Sequence, residues 1–220
     1  MKINKELALE LWNKKEYFSK GKRGYIYLAK NNEEVFVIKT RNPESKAPNT
    51  ILREYENNKS LNNHGVGPEM YYYDEELDFV IREFAEGTSI FEWMKNVNDK
   101  KIIEKVFLNL LDQCKRMDEA NINKLEMNHP HKDLLIRNNE PVIIDFERCK
   151  QTIKPKNVTQ LCQFLSSKHI NIELQRFNVQ ISNESLMKLA ETYKKSKQKI
   201  KEFEKIKKEI INAFKNPSSS

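Results

Sequence analysis

Glycine is scarce: five in 220 residues, at Gly21, Gly24, Gly65, Gly67 and Gly87. That excludes a low-complexity or collagen-like chain and gives each position weight. Cysteine is scarcer. Cys114, Cys149 and Cys162 show no CxxC or metal-ligand spacing, which excludes a disulfide framework and reads as reduced thiols of a cytoplasmic protein. Apolar runs stop at about five residues, Tyr25 to Ala29 among the longest, so no transmembrane helix is expected. The opening MKINKELALELW carries charges every few residues and no apolar signal core.

Charge is abundant. Thirty-nine Lys and Arg stand against 32 Asp and Glu, a net +7, with 38% hydrophobic residues, which is lean but not a disordered composition. The basic excess is local. From Glu184 to Lys215 there are ten Lys and five Glu, so the tail holds most of it. This describes a basic amphipathic tail more than a nucleic-acid-binding core.

The patterning predicts a short helix over 4–18, then a hairpin of GYIYLA and VFVIKT across a polar KNNEE turn. A Pro-containing loop follows over 41–49, then a helix over 50–63 with Thr50 as N-cap. EMYYYDEE and LDFVIREF read as two more strands. Beyond Gly87 the pattern turns helical, with a long amphipathic helix over 100–118. DLLIR-NNEP-VIIDF reads as a tight hairpin, and helices follow over 157–168 and 182–215, with NPSSS as a frayed end. The division is 1–87, a sheet-rich lobe; 88–183, a helical lobe; and 184–220, the basic helix and tail. The fold class is α+β and bilobal.

Four features carry chemistry. Ser19-Lys-Gly21-Lys-Arg-Gly24-Tyr-Ile-Tyr27 matches the last two glycines of a GxGxxG turn, where backbone can approach phosphate closely; alone, such a turn is more often only a hairpin turn. Lys39 ends an apolar strand and can point at phosphates or face solvent. Glu54 lies on the following helix and can pair with Lys39, as can Glu56. Asp133 and Asp145 bracket the hairpin twelve residues apart, two hard oxygen ligands suited to Mg²⁺.

In this order the four resemble a protein-kinase-like chain over roughly 17–165, most similar to small atypical RIO-like, archaeal-type Ser/Thr kinases. REFAEG (82–87) resembles the kinase hinge. The resemblance implies an ATP- and Mg²⁺-dependent phosphotransferase acting on a protein hydroxyl, or on a small-molecule acceptor. Gly21 and Gly24 cover the phosphates, Lys39 contacts them and pairs with Glu54, Glu83 and Ala85 fall at the adenine position, and Asp133 and Asp145 hold the metal. The HRDLxxxN match would make Asp133 the base and Asn138 a ligand. It leaves too few residues before Asp145 for a hairpin. The RIO-type register puts Asp133 at the metal Asn and Asn128 at the catalytic Asp, so the base is one of Glu126, His129 and His131. Glu147 replaces the Gly of DFG, where it stiffens the turn or adds an oxygen ligand. A non-catalytic, nucleotide-gated binding module is the rival reading, with the lysine-rich tail contacting RNA or a ribonucleoprotein. No membrane partner is expected.

Overall fold

The computed structural model describes residues 2–215. The expected frayed end, 216–220, lies outside them. The chain forms two compact units. The first runs to Glu86 and takes back Val142–Cys149; the second holds Gly87–Pro141 and the chain from Lys150 onward.

In the first unit, helix α1 (Lys5–Asn13) precedes a five-stranded antiparallel sheet of order β1-β2-β3-β5-β4. Its strands are β1 (Glu16–Lys20), β2 (Gly24–Asn31), β3 (Glu34–Arg41), β4 (Met70–Asp74) and β5 (Phe79–Glu83). The expected helix over 4–18 thus stops at Asn13, and its last residues become the edge strand β1. Tyr17 pairs opposite Tyr27, ring edge to face at 6.1 Å, as β-forming aromatics do. The sheet's two faces separate cleanly by the period of two. Phe36, Ile38, Phe79 and Ile81 pack with Ala8 and Leu11 of α1, and Trp12 stacks on Phe79 at 4.5 Å. Val80 packs with Ile51 of α2 (Thr50–Asn62). Lys39, one residue on from Ile38 and paired with Val80, therefore projects on the α2 side.

Thr50 is not the cap of α2. Asn49 is, in a left-handed conformation without a side-chain bond, and Thr50 is the first helical residue.

The second unit is mostly helical. A two-residue strand β6 (Thr88–Ser89) leads into α3 (Ile90–Asn96) and α4 (Lys100–Glu119), whose buried stripe includes Ile103, Val106, Phe107, Leu110, Leu111 and Cys114. The short strands β7 (Ile122–Asn123) and β10 (Lys150–Gln151) pair with each other. Strands β8 (Leu134–Arg137) and β9 (Glu140–Ile143) follow β6 in a three-stranded sheet, β6-β8-β9. Asn138 and Asn139 form its turn with φ of 52° and 62°, the left-handed pair a two-residue hairpin needs. The helix expected over 157–168 splits at Ser166 and Ser167 into α5 (Asn157–Leu165) and α6 (Lys168–Leu174). Ser166 bonds back to the Cys162 carbonyl and Ser167 caps α6. The single tail helix expected over 182–215 is two, α7 (Asn183–Lys195) and α8 (Lys199–Lys215), broken at Ser196. Their stripe is covered within the unit: Leu186, Ala190, Tyr193, Phe203, Ile206, Ile210 and Phe214 are buried. All three cysteines are buried and outside any disulfide, and no described helix is long and apolar enough to cross a membrane.

Candidate functional site

The first unit gathers its chemistry around the Lys39 ammonium. Strand β3 delivers Lys39 with its side chain only 9% exposed, and Glu54 of α2 meets it at 2.5 Å, itself 2% exposed. Glu56, two residues along the same helix, is exposed. Helix periodicity decides between them: a shift of two residues turns the side chain by more than half a turn. The Asp145 and Glu147 carboxylates lie 3.4 Å and 3.3 Å from the same ammonium. Burial works against the Lys39 charge, but the carboxylates of Glu54, Asp145 and Glu147 outweigh it, so the lysine pKa is raised. Burial in turn pushes the Glu54 carboxyl up, opposed by Lys39 and by Arg82. Arg82 is a buried cation on β5 that sequence patterning did not single out.

Segment 142–149 is fixed locally. Asp145 adopts a left-handed conformation, φ 63°, and Phe146 after it is buried. The Phe146 carbonyl accepts from Asn57 Nδ2 at 3.0 Å. Gly67, at φ 80°, makes room for the ring: a Cβ there would sit 2.6 Å from Phe146 Cε2 and from Asn58 Oδ1. That requirement puts Gly67 in the site's support, a role its sequence position did not reveal.

The Gly21–Gly24 turn joins β1 to β2, closed by a bond from Gly21 N to the Gly24 carbonyl at 2.8 Å. Only Gly24 is sterically required, since its Cβ would lie 2.6 Å from the Thr40 carbonyl and 3.2 Å from Lys39 Cε, whereas at Gly21 the approach is an ordinary 3.4 Å. Glu83 ends β5, and Ala85 follows it, buried. One oxygen from each of Glu54, Asp145 and Glu147 lies within 4.8 Å of the others. Hard oxygen donors at this spacing fit a divalent cation. Glu54 is the closest of the three to Lys39 and the most buried, so Asp145 and Glu147 are the residues of this unit that could hold one.

The remaining candidates belong to the second unit. Asp133 pairs with Lys124 at 2.9 Å, the lysine side chain 4% exposed. Lys124 was not anticipated; a lysine in a polar loop carries no sign of burial. It is placed by Asn157, whose Oδ1 accepts from Lys124 N at 2.8 Å and whose amide group donates to Asp118 Oδ1 at 2.8 Å. Tyr193 donates to the other Asp118 oxygen at 3.2 Å. This buried network holds residues 118–133 in shape. Glu126 is exposed with φ 71°, and its carbonyl accepts from His129 N at 2.8 Å. Asn128 is half-buried. The His131 ring stacks on Phe91 at 4.9 Å, with His129 at 6.1 Å. Burial lowers the His131 pKa, and His129 and His169 lower it further, so it is neutral at pH 7 and able to accept a proton. The sequence-derived site residues thus fall into two sets, Gly21, Gly24, Lys39, Glu54, Glu83, Ala85 and Asp145 in the first unit, and Glu126, His129, His131 and Asp133 in the second.

No protein-family model and no curated protein matches the chain. Among solved structures it is similar to the kinase PK-1 of Cydia pomonella granulovirus, with a TM-score of 0.50 and 15% identity, over 66% of this chain and 56% of that one. The chain thus matches little more than half the length of that kinase. The fold is α+β and protein-kinase-like, with a five-stranded antiparallel sheet in the N-terminal part and helices after it.

Proposed function

We propose that the chain is an ATP- and Mg²⁺-dependent phosphotransferase that passes the γ-phosphoryl group to a Ser or Thr hydroxyl of a protein, in the manner of small RIO-like kinases. The observation that carries this reading is the buried Lys39–Glu54 pair with Asp145 beside it. A lysine so fixed is a positioned point charge for nucleotide phosphates. Gly24 and Gly21 form the turn over those phosphates, and Glu83 and Ala85 supply the adenine-facing backbone. Asp145 and Glu147 are the oxygen donors for Mg²⁺, whose part is to neutralise charge developing on the transferred group. His131, neutral at pH 7, is a suitable acceptor for the hydroxyl proton, with Glu126 and His129 as the other candidates.

One observation favours a second reading, a nucleotide-gated binding module with little or no turnover. The RIO-type register puts Asn128 at the position of the catalytic Asp, and an amide cannot take up a proton there. Lysines of the tail would then serve an RNA or ribonucleoprotein partner.

Thermal unfolding with ATP, with and without Mg²⁺, tests the nucleotide reading on wild type and Asp145→Ala. ATP at 100 times its Kd stabilises by about 2.7 kcal/mol, and each kcal/mol raises Tm by about 2–4 °C at this size. A Mg²⁺-dependent rise lost in Asp145→Ala is expected. No rise at millimolar ATP rejects the reading. Transfer of labelled γ-phosphate to a protein acceptor then separates enzyme from binding module.

A further inference from the structure

Glu147 stands two residues after Asp145, where the resemblance puts the glycine of DFG. A glycine there has no side chain to reach its neighbours. Glu147 has one, 8% exposed, and uses both oxygens: Oε1 meets Arg23 at 3.0 Å and Oε2 meets Lys39 at 3.3 Å. One carboxylate thus bridges two cations, as two oxygens of a phosphate would.

Arg23 is held for that contact. It sits in the Gly21–Gly24 turn, and its carbonyl accepts from Asn42 N at 2.8 Å while Asn42 Nδ2 donates to the Lys22 carbonyl at 3.3 Å. Asn42 is 3% exposed, so the turn is tied to a buried anchor. The Arg23 side chain is 31% exposed, and Lys39 keeps Glu54 whatever Glu147 does.

We propose that Arg23 is a second phosphate-binding cation of this site, and that Glu147 is an internal anion holding Arg23 and Lys39 until nucleotide phosphate displaces it. The proposal rests on the nucleotide reading above. Competition decides its sign. Three cations, Lys39, Arg23 and the buried Arg82, balance three carboxylates, Glu54, Asp145 and Glu147. Phosphates arriving without a metal meet a carboxylate already bound to Arg23 and Lys39. A divalent cation taken up by Asp145 and Glu147 draws that competitor away. Wild-type affinity is therefore strongly Mg²⁺-dependent because of Glu147, and a variant neutral at 147 binds ATP without metal.

Binding of ATP and of adenosine is measured by titration calorimetry in EDTA and in Mg²⁺, on wild type, Glu147→Gln, Arg23→Gln and Lys39→Met. In EDTA, Glu147→Gln is expected to bind ATP about tenfold more tightly than wild type, equivalent to about 1.4 kcal/mol, with adenosine affinity unchanged. Arg23→Gln is expected to lower the ratio of ATP to adenosine affinity at least about fivefold. Should Glu147→Gln fail to fold, Arg23→Gln, a change at a partly exposed side chain, decides alone. ATP affinity equal to wild type in both variants, with binding abolished in Lys39→Met, overturns this proposal and leaves the nucleotide reading standing. ATP binding that survives Lys39→Met, or is absent from every protein, overturns both.

Discussion

Lys39 shows how a single residue's surroundings set its worth. An exposed ion pair contributes little, but the Lys39–Glu54 pair is buried on both sides, so neutralising Glu54 removes the nearest counter-charge of an ammonium that water cannot reach and leaves it to Asp145 and Glu147 at 3.4 Å and 3.3 Å. Glu54→Gln is expected to lower stability by about 3 kcal/mol, whereas Glu56→Gln, at an exposed position, changes it by less than about 0.5 kcal/mol. Urea unfolding of both checks this, and equal effects would contradict the assignment of Glu54 as the partner. The sequence offered both glutamates, because two carboxylates on a polar helix look alike until the helix is rolled against its sheet. Lys124 and Arg82 were invisible for the related reason that basic residues usually lie on the surface, and only tertiary packing buries them.

Elements were legible where hydrophobic period and turn chemistry agreed. The β2–β3 hairpin and the Asn138-Asn139 turn lie where alternation and paired asparagines place them. The edge strand β1 was not legible, because Tyr17 and Phe18 are both largely exposed and leave no alternation to read. The break in the tail was hinted at only by a lapse in the apolar spacing at Ser196. There the backbone turns extended, and Lys199 donates to the Lys194 carbonyl at 2.9 Å, closing the end of α7. The turn at Gly67 supports a different element, the segment carrying Asp145. Gly67→Ala meets a positive φ and a Phe146 ring at 2.6 Å. It is expected to cost at least about 1–3 kcal/mol and, by displacing Phe146, to reduce the ATP-dependent Tm rise. A variant that is destabilised but keeps the full rise would show that Phe146 does not position Asp145.

On the scale of the molecule, the first unit is discontinuous: Val142–Cys149 returns to it after the chain has entered the second. The break was not readable from composition, since the β8–β9 hairpin looks local in sequence and nothing in VIIDFERC marks it as belonging elsewhere. Residues 1–86 alone lack Phe146 and two of the three carboxylates around Lys39. That fragment is expected to melt without a cooperative transition by circular dichroism; a sharp transition at the full chain's Tm would refute this. The same discontinuity imposes an order on biosynthesis. A ribosome making 5–20 residues per second needs roughly 3–13 s for the 63 residues from Gly87 to Cys149. Through that interval the nascent sheet carries Lys39 and Glu54 without the strand of chain that completes their surroundings. Translation rate across this stretch, and any chaperone that shields the open sheet meanwhile, thereby becomes a determinant of how much folded protein a cell obtains.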